Sequence, residues 1–281
     1  MSVPFGPEWS ASLARVPAAT LREWLALAHA ACDEADAIAL EAFRRDIRVD
    51  RKPDRTFVTA ADEAVERAVR GRIEAAYPAH GLVGEEYGEA RGSAPVRWYI
   101  DPIDGTHNFM RGVPVFATLL GVEADGELQL GMISAPALGS RWWAARGLGS
   151  WGRTPGGSGA PLERRLRVSG IEDLGVGHVL HSSRRDALGS GKMPGFDAVV
   201  DASWRDRGFG DFWGYVLVAE GAAEVMVETG LHPYDLAAPV VIVEEAGGRL
   251  TDHAGERRID SRSAVATNGT IHDEVLRRLR G

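Results

Sequence analysis

"WYIDPIDGTHNF", residues 98–109, ends an apolar run in two aspartates three positions apart, with a proline between them and a glycine and a threonine behind. Read as a buried strand, "RWYI" leaves Asp101 at its carboxyl end. Pro102, which has no N–H, then stops the ladder, and the Ile-Asp-Gly-Thr turn folds Asp104 back toward Asp101. Carboxylates held that close raise each other's pKa unless a cation lies between them, and hard oxygen ligands point to Mg²⁺. The Ile103 carbonyl can join them. Gly105 removes a side chain and Thr106 supplies a hydroxyl at a helix start, where free N–H groups receive phosphate oxygens. An ordinary β-turn accounts for the same residues, because Asp-Pro and Asp-Gly are common turn dipeptides.

Two further acidic stretches bear on the choice. "GEEYG" sets Glu85 and Glu86 directly after a short apolar run, with a loop salt bridge as the alternative. "HPYDLAAP" sets Asp235 at the opening of a helix, where the helix dipole alone favours an acid.

Around these stretches the periodicity divides the chain. Residues 1–19 carry three prolines and no pattern, and read as an arm. Thr20 and Glu23 form a capping-box pattern ahead of Leu21, Trp24, Leu25, Ala28, Ala35 and Ile38 at helical spacing. Thr59 and Asp62 repeat that pattern before Val65, Val69 and Ile73, and Pro78 forbids continuation. From residue 82 the period becomes two, giving a sheet with hairpins through "RWWAA", and "RTPGGSGAP", 153–161, reads as a loop. Beyond a boundary near 165, strands and helices alternate, with helices at 211–220, closed by Gly221, and 234–246, closed by Gly247 and Gly248, a strand in "AEVMVE", and turns in "GKMPGFDAVV" and "TNGT". The organisation expected is an arm (1–19), an α+β lobe (20–165) and an α/β lobe (166–281).

Composition narrows the function. With 32 basic against 40 acidic residues and a formal charge of −8, the chain has no Lys/Arg run to track a phosphate backbone, which argues against nucleic acid. Cys32 is the one cysteine, so intrachain disulfides and thiolate metal clusters are excluded and a cytoplasmic setting fits. No stretch reaches the about 18 apolar residues of a membrane span, and the N-terminus has no signal-peptide pattern.

"KPDRTFVTAAD" (52–62), "GEE" (84–86), "WYIDPIDGTHNF" (98–109), "YDLAAP" and "VEEAGG" together resemble the inositol monophosphatase family of Mg²⁺-dependent, lithium-sensitive phosphomonoesterases. The resemblance implies a mixed α/β fold, a layered α-β-α-β-α sandwich of two closely packed lobes, and commonly a homodimer. It implies two or three Mg²⁺ ions. Glu85, Asp101 and the Ile103 carbonyl would hold the first, Asp101, Asp104 and Asp235 the second, and Asp62 would lie near a weaker third. Phosphate would rest on the Gly105 and Thr106 amides, and water oriented by Glu85 and the Thr106 hydroxyl would attack phosphorus in line.

The runs "GTHNFMRGVPVFATLLGV" and "SAPALGSRWWAARGLGSW" are most similar to the histidinol-phosphate phosphatase branch, and Arg111 stands where the inositol branch has histidine. That substrate carries an ammonium and an imidazole, so acids suit its pocket. Glu228 matches the family's contact to the organic part, where an acid suits an ammonium as well as a sugar hydroxyl, and Asp211 is a second acid; a sheet-end charge and a helix N-cap are their structural alternatives. An inositol or sugar phosphate, and a non-catalytic metal- and phosphate-binding regulator, are the competing functions. Trp142 and Trp143 alternate on a strand, one expected in a core and one toward a loop or partner. His107, His181 and His232 read as polar rim, since Mg²⁺ rarely selects imidazole. Lys52 reads as a counter-charge or surface lysine, and "HSSRR" as a rim over the phosphate or a solvated pair.

Overall fold

The computed structural model describes residues 16–45, 49–51, 57–157, 159–185 and 193–281. The arm as far as residue 15, Lys52 and the first residues of "GKMPGFDAVV" lie outside them.

Helix α1, Ala18–Ala42, lays Leu21, Trp24 and an alanine stripe (Ala28, Ala31, Ala35, Ala39) inward. It starts two residues before Thr20, on Pro17, whose carbonyl accepts the Leu21 amide. The Thr20–Glu23 box therefore does not form: Ala18 and Ala19 are good helix formers, and proline's fixed φ already prepares the turn. A two-stranded ribbon, β1 (Val49–Arg51) and β2 (Phe57–Thr59), leads into α2, Ala60–Ala76. There the Thr59–Asp62 box does form, with side chain and backbone bonded reciprocally.

The larger sheet contains β3 (Gly81–Gly84), β4 (Gly88–Ala90), β5 (Val96–Asp104), β6 (Ala117–Ala124), β7 (Glu127–Ala135), β8 (Ser140–Ala145), β9 (Gly149–Pro155) and β10 (Pro161–Arg165). Its order is β10-β9-β8-β7-β6-β5-β3-β4, antiparallel except where β3 lies parallel to β5. A short helix, α3 (Thr106–Met110), joins β5 to β6. The smaller sheet, ordered β12-β11-β13-β15-β14, comprises β11 (His178–His181), β12 (Arg205–Arg207), β13 (Val225–Thr229), β14 (Arg249–Thr251) and β15 (Ser263–Thr267). Its helices are α4 (Phe196–Ala202), α5 (Asp211–Ala219), α6 (Pro233–Glu245) and α7 (His272–Arg280).

Three apolar bodies separate these layers. Leu21, Val65, Trp98, Leu120 and Trp143 fill the space between α1–α2 and one face of the larger sheet. Leu119, Trp142, Phe212, Met226 and Val241 fill the space between its other face, α5–α6 and the smaller sheet. Val179, Phe196, Val227 and Val275 pack the smaller sheet against α4 and α7. The result is an α-β-α-β-α sandwich in a mixed α/β chain. Trp142 and Trp143 follow the strand alternation into two different cores, so neither is left for a loop or partner. Gly121 and Gly131 let α6 lie directly on the larger sheet, since a Cβ at either would overlap Ala237 or the Ala238 carbonyl.

Two more elements differ from expectation. The 153–161 segment is not all loop: 153–155 belong to β9 and Pro161 opens β10, with Pro155 opposite Pro161; β10 is an edge strand, where proline is tolerated. "GKMPGFDAVV" turns at Gly195 and then forms α4, because Phe196 and Val199 bury one face.

Candidate active site

β5 does not stop at Pro102. Asp101 pairs with Leu119 and Asp104 with Ala117, so β5 spends three steps where β6 spends two. The missing N–H of Pro102 is absorbed by this bulge rather than ending the strand, and the Pro102 carbonyl accepts the Thr118 hydroxyl at 2.8 Å. Asp101 and Asp104 therefore leave one continuous strand at a kink, not a turn. Gly105 follows at φ 82°, the left-handed conformation that suits glycine, and α3 begins at Thr106. The Thr106 hydroxyl lies 3.0 Å from the Ile103 carbonyl and 3.4 Å from Asp62 Oδ1.

Asp62, buried at the start of α2, accepts the Thr59 amide at 2.8 Å and the Thr59 hydroxyl at 2.5 Å. Glu85 follows β3, and its amide donates to the Ile100 carbonyl beside Asp101 at 3.2 Å. Asp235 sits in the first turn of α6, where it accepts the His232 amide at 2.7 Å. Asp101 and Asp235 lie close enough for each to bear on the other's ionisation. Asp101 Oδ1 is buried with no hydrogen bond.

Charge couples the set. Burial, then Glu85, then Asp104 and Asp235 push the Asp101 carboxyl well above its ordinary range. Asp104 is raised by burial and then by Asp211 and Asp235. Burial is likewise the main cause in pushing Asp62 up to about 6 and Asp235 up to about 7, with Glu85 adding to both. Among the described residues no three of these side chains crowd one point at ligand distance, as expected of like charges that repel. A hard divalent cation nevertheless fits: the donors are all oxygens, and one of them, Asp101 Oδ1, is buried without a hydrogen bond.

The smaller sheet supplies a second acidic group. Asp104 Oδ2 accepts the Phe212 amide at 2.5 Å, so an acid from β5 serves the N-terminus of α5. Gly210 is the N-cap and Asp211 the first helical residue, at φ 57°, so Asp211 is not the cap. Its carboxylate instead meets Asn108 Nδ2 at 3.3 Å, while its amide meets Glu228 Oε1 at 3.4 Å. Glu228 is buried inside β13 rather than exposed at a sheet end; Tyr215 donates to it at 2.7 Å, and burial followed by Asp211 pushes it up to about 8.

The histidines stay at the margin. His107 adjoins Asp211, His181 faces Asp206 at 3.3 Å, and His232 stacks on Tyr234. Arg184 of "HSSRR" pairs with Asp197 at the surface. Two residues that sequence reasoning passed over lie behind the acids: Tyr215, and Glu66, a buried carboxylate on the apolar stripe of α2 one turn after Asp62. A charge on that stripe was the available signal for Glu66. An open cleft of about 310 Å³ at Arg249, Asp273, Arg277 and Arg280 shares no residue with this cluster.

The inositol monophosphatase family model matches residues 20–281. The chain belongs to that family. Members are Mg²⁺-dependent, and the chain is a phosphatase, a hydrolase of phosphate monoesters. It is 44% identical to a histidinol-phosphatase of Mycobacterium tuberculosis over 91% of this chain and 97% of that protein. Identity to a histidinol-phosphatase of Chlorobaculum parvum is 37%, over 90% and 95% of the two. Among solved structures, the extragenic suppressor protein SuhB of Bartonella henselae superposes with a TM-score of 0.81 at 26% identity, covering 92% of this chain and 98% of that one. Among the described residues no helix is long and apolar enough to cross a membrane.

Proposed function

We propose that this phosphatase hydrolyses L-histidinol phosphate to L-histidinol and phosphate. The observation that carries the choice of substrate is the pairing of half-buried Asp211 with buried Glu228 beside Asp104, neither of them ion-paired with lysine or arginine among the described residues. Inositol phosphate has no positive charge to offer such a wall, whereas the ammonium and imidazole of histidinol phosphate do. Similarity to proteins named histidinol-phosphatase supports the same reading.

Glu85, Asp101 and the Ile103 carbonyl would hold one Mg²⁺, and Asp101, Asp104 and Asp235 a second, with Asp62 near a third. Such cations lower the pKa of water and offset charge on the phosphoryl oxygens and on the departing alkoxide. The residues do the positioning. The Gly105 and Thr106 amides, at the open start of α3, receive phosphate oxygens; Glu85 and the Thr106 hydroxyl orient the attacking water. Asp211 and Glu228 fix the cationic end, so that the ester bond faces the acids in line. We take the chain to act as a lithium-sensitive homodimer in the cytoplasm, with its lobes meeting near residue 165.

Phosphate release from a panel of esters with Mg²⁺ tests this. Histidinol phosphate should exceed inositol 1-phosphate, and Asp211→Asn or Glu228→Gln should raise KM for the former by about tenfold, as loss of a charge-assisted contact does. Equal rates on both esters, or an unchanged KM, would sink the substrate assignment.

A further inference from the structure

We infer that Glu66 is a positioning residue that sets Glu85 for its cation; the inference rests on Glu85 being a Mg²⁺ ligand. Glu66 is fully buried on α2. Its Oε2 accepts the Glu86 amide at 2.6 Å, and its Oε1 accepts the Tyr87 amide at 3.2 Å and Arg70 Nε at 2.7 Å. Arg70 in turn donates to the Gly88 carbonyl. Glu85 is thus held from both sides: its own amide is tied to Ile100 on β5, and the next two amides are tied to one carboxylate on α2.

The cradle is built around a missing side chain. A Cβ on Gly84 would overlap the Glu66 carboxylate, so residue 84 must be glycine for Glu66 to reach the turn. Glu66 also lies one helical turn beyond Asp62, so a single face of α2 supports both the third-site acid and the Glu85 turn. Arg70 balances the buried charge in an ion pair of its own helix. A solvated turn would need none of these contacts.

Glu66→Gln keeps the shape but sets an NH₂ against at least one of these donors. Gly84→Ala keeps the charge but displaces the carboxylate. Both are compared with Val69→Ala, which removes apolar packing from the same helix. The readout is the Mg²⁺ concentration giving half the maximal rise in Tm, measured without substrate. Glu66→Gln and Gly84→Ala should need about tenfold more Mg²⁺, as when the partner orienting a metal ligand is lost. Val69→Ala should lower the starting Tm and keep the normal half-point. Normal half-points in both test variants overturn the inference, as does an equal shift in Val69→Ala. If one test variant fails to fold the other decides, and if both fail Glu66 serves the fold and the inference is wrong. A normal half-point in Glu85→Gln would instead overturn the ligand assignment beneath it.

Discussion

Asp101 concentrates the electrostatic cost of the site in one side chain. It is 2% exposed, its Oδ1 has no hydrogen bond, and its neighbours are acids. Asparagine at this position removes the charge that burial penalises while nearly preserving volume. In EDTA the Asp101→Asn protein should melt at or above the temperature of the unaltered chain, and its phosphate release in Mg²⁺ should fall by more than about a hundredfold. Retained turnover would show that Asp101 does not serve the chemistry. Tyr215→Phe should behave in the opposite way: it leaves the buried Glu228 short of a donor and should cost about 1–3 kcal/mol of stability in a denaturant melt.

At the scale of elements, α6 has to approach the larger sheet closely enough for Asp235 to reach Asp101. Gly121 and Gly131 permit that approach. Gly121→Ala should cost about 1–3 kcal/mol, as overpacking does, and should also weaken the Mg²⁺-induced rise in Tm because Asp235 moves with its helix. A stability loss with an unchanged Mg²⁺ response would separate packing from the site. The sequence was legible where one residue decides locally: Thr59 and Asp62 cap α2, and Gly221 and Gly247, both at positive φ, follow α5 and α6. It was illegible where partners lie far along the chain. The bulge at Pro102 depends on β6, which lies beyond α3. The capping of α5 by Asp104 spans 108 positions, and the hold of Glu66 on the Glu85 turn spans 20. Thr20 misled because a cap pattern is only local, and the favourable start at Pro17 and Ala18 prevailed.

In the molecule as a whole the acids come from α2, the turn after β3, β5 and α6, so a cation bound among them ties together segments distant in sequence. It should stabilise the fold by linkage, by about 2.7 kcal/mol at a concentration a hundred times its Kd. The pH dependence has a definite sign. Asp62 and Asp235 are pushed up to about 6 and about 7, so the metal-free fold holds protons that the unfolded chain, with carboxyl groups near about 4, has already released. Metal-free stability contributed by these groups is therefore full at low pH, declines as pH rises above about 4, and levels off just above 7. Mg²⁺ must displace the same protons, so its stabilisation grows across that window. The gap in Tm between Mg²⁺ and EDTA should be widest at about pH 8 and shrink toward about pH 5, and Asp101→Asn should narrow it at every pH. A gap that stays constant from pH 5 to 8 would mean that the cation binds away from these carboxylates, and the acidic cluster would then lose its assigned role.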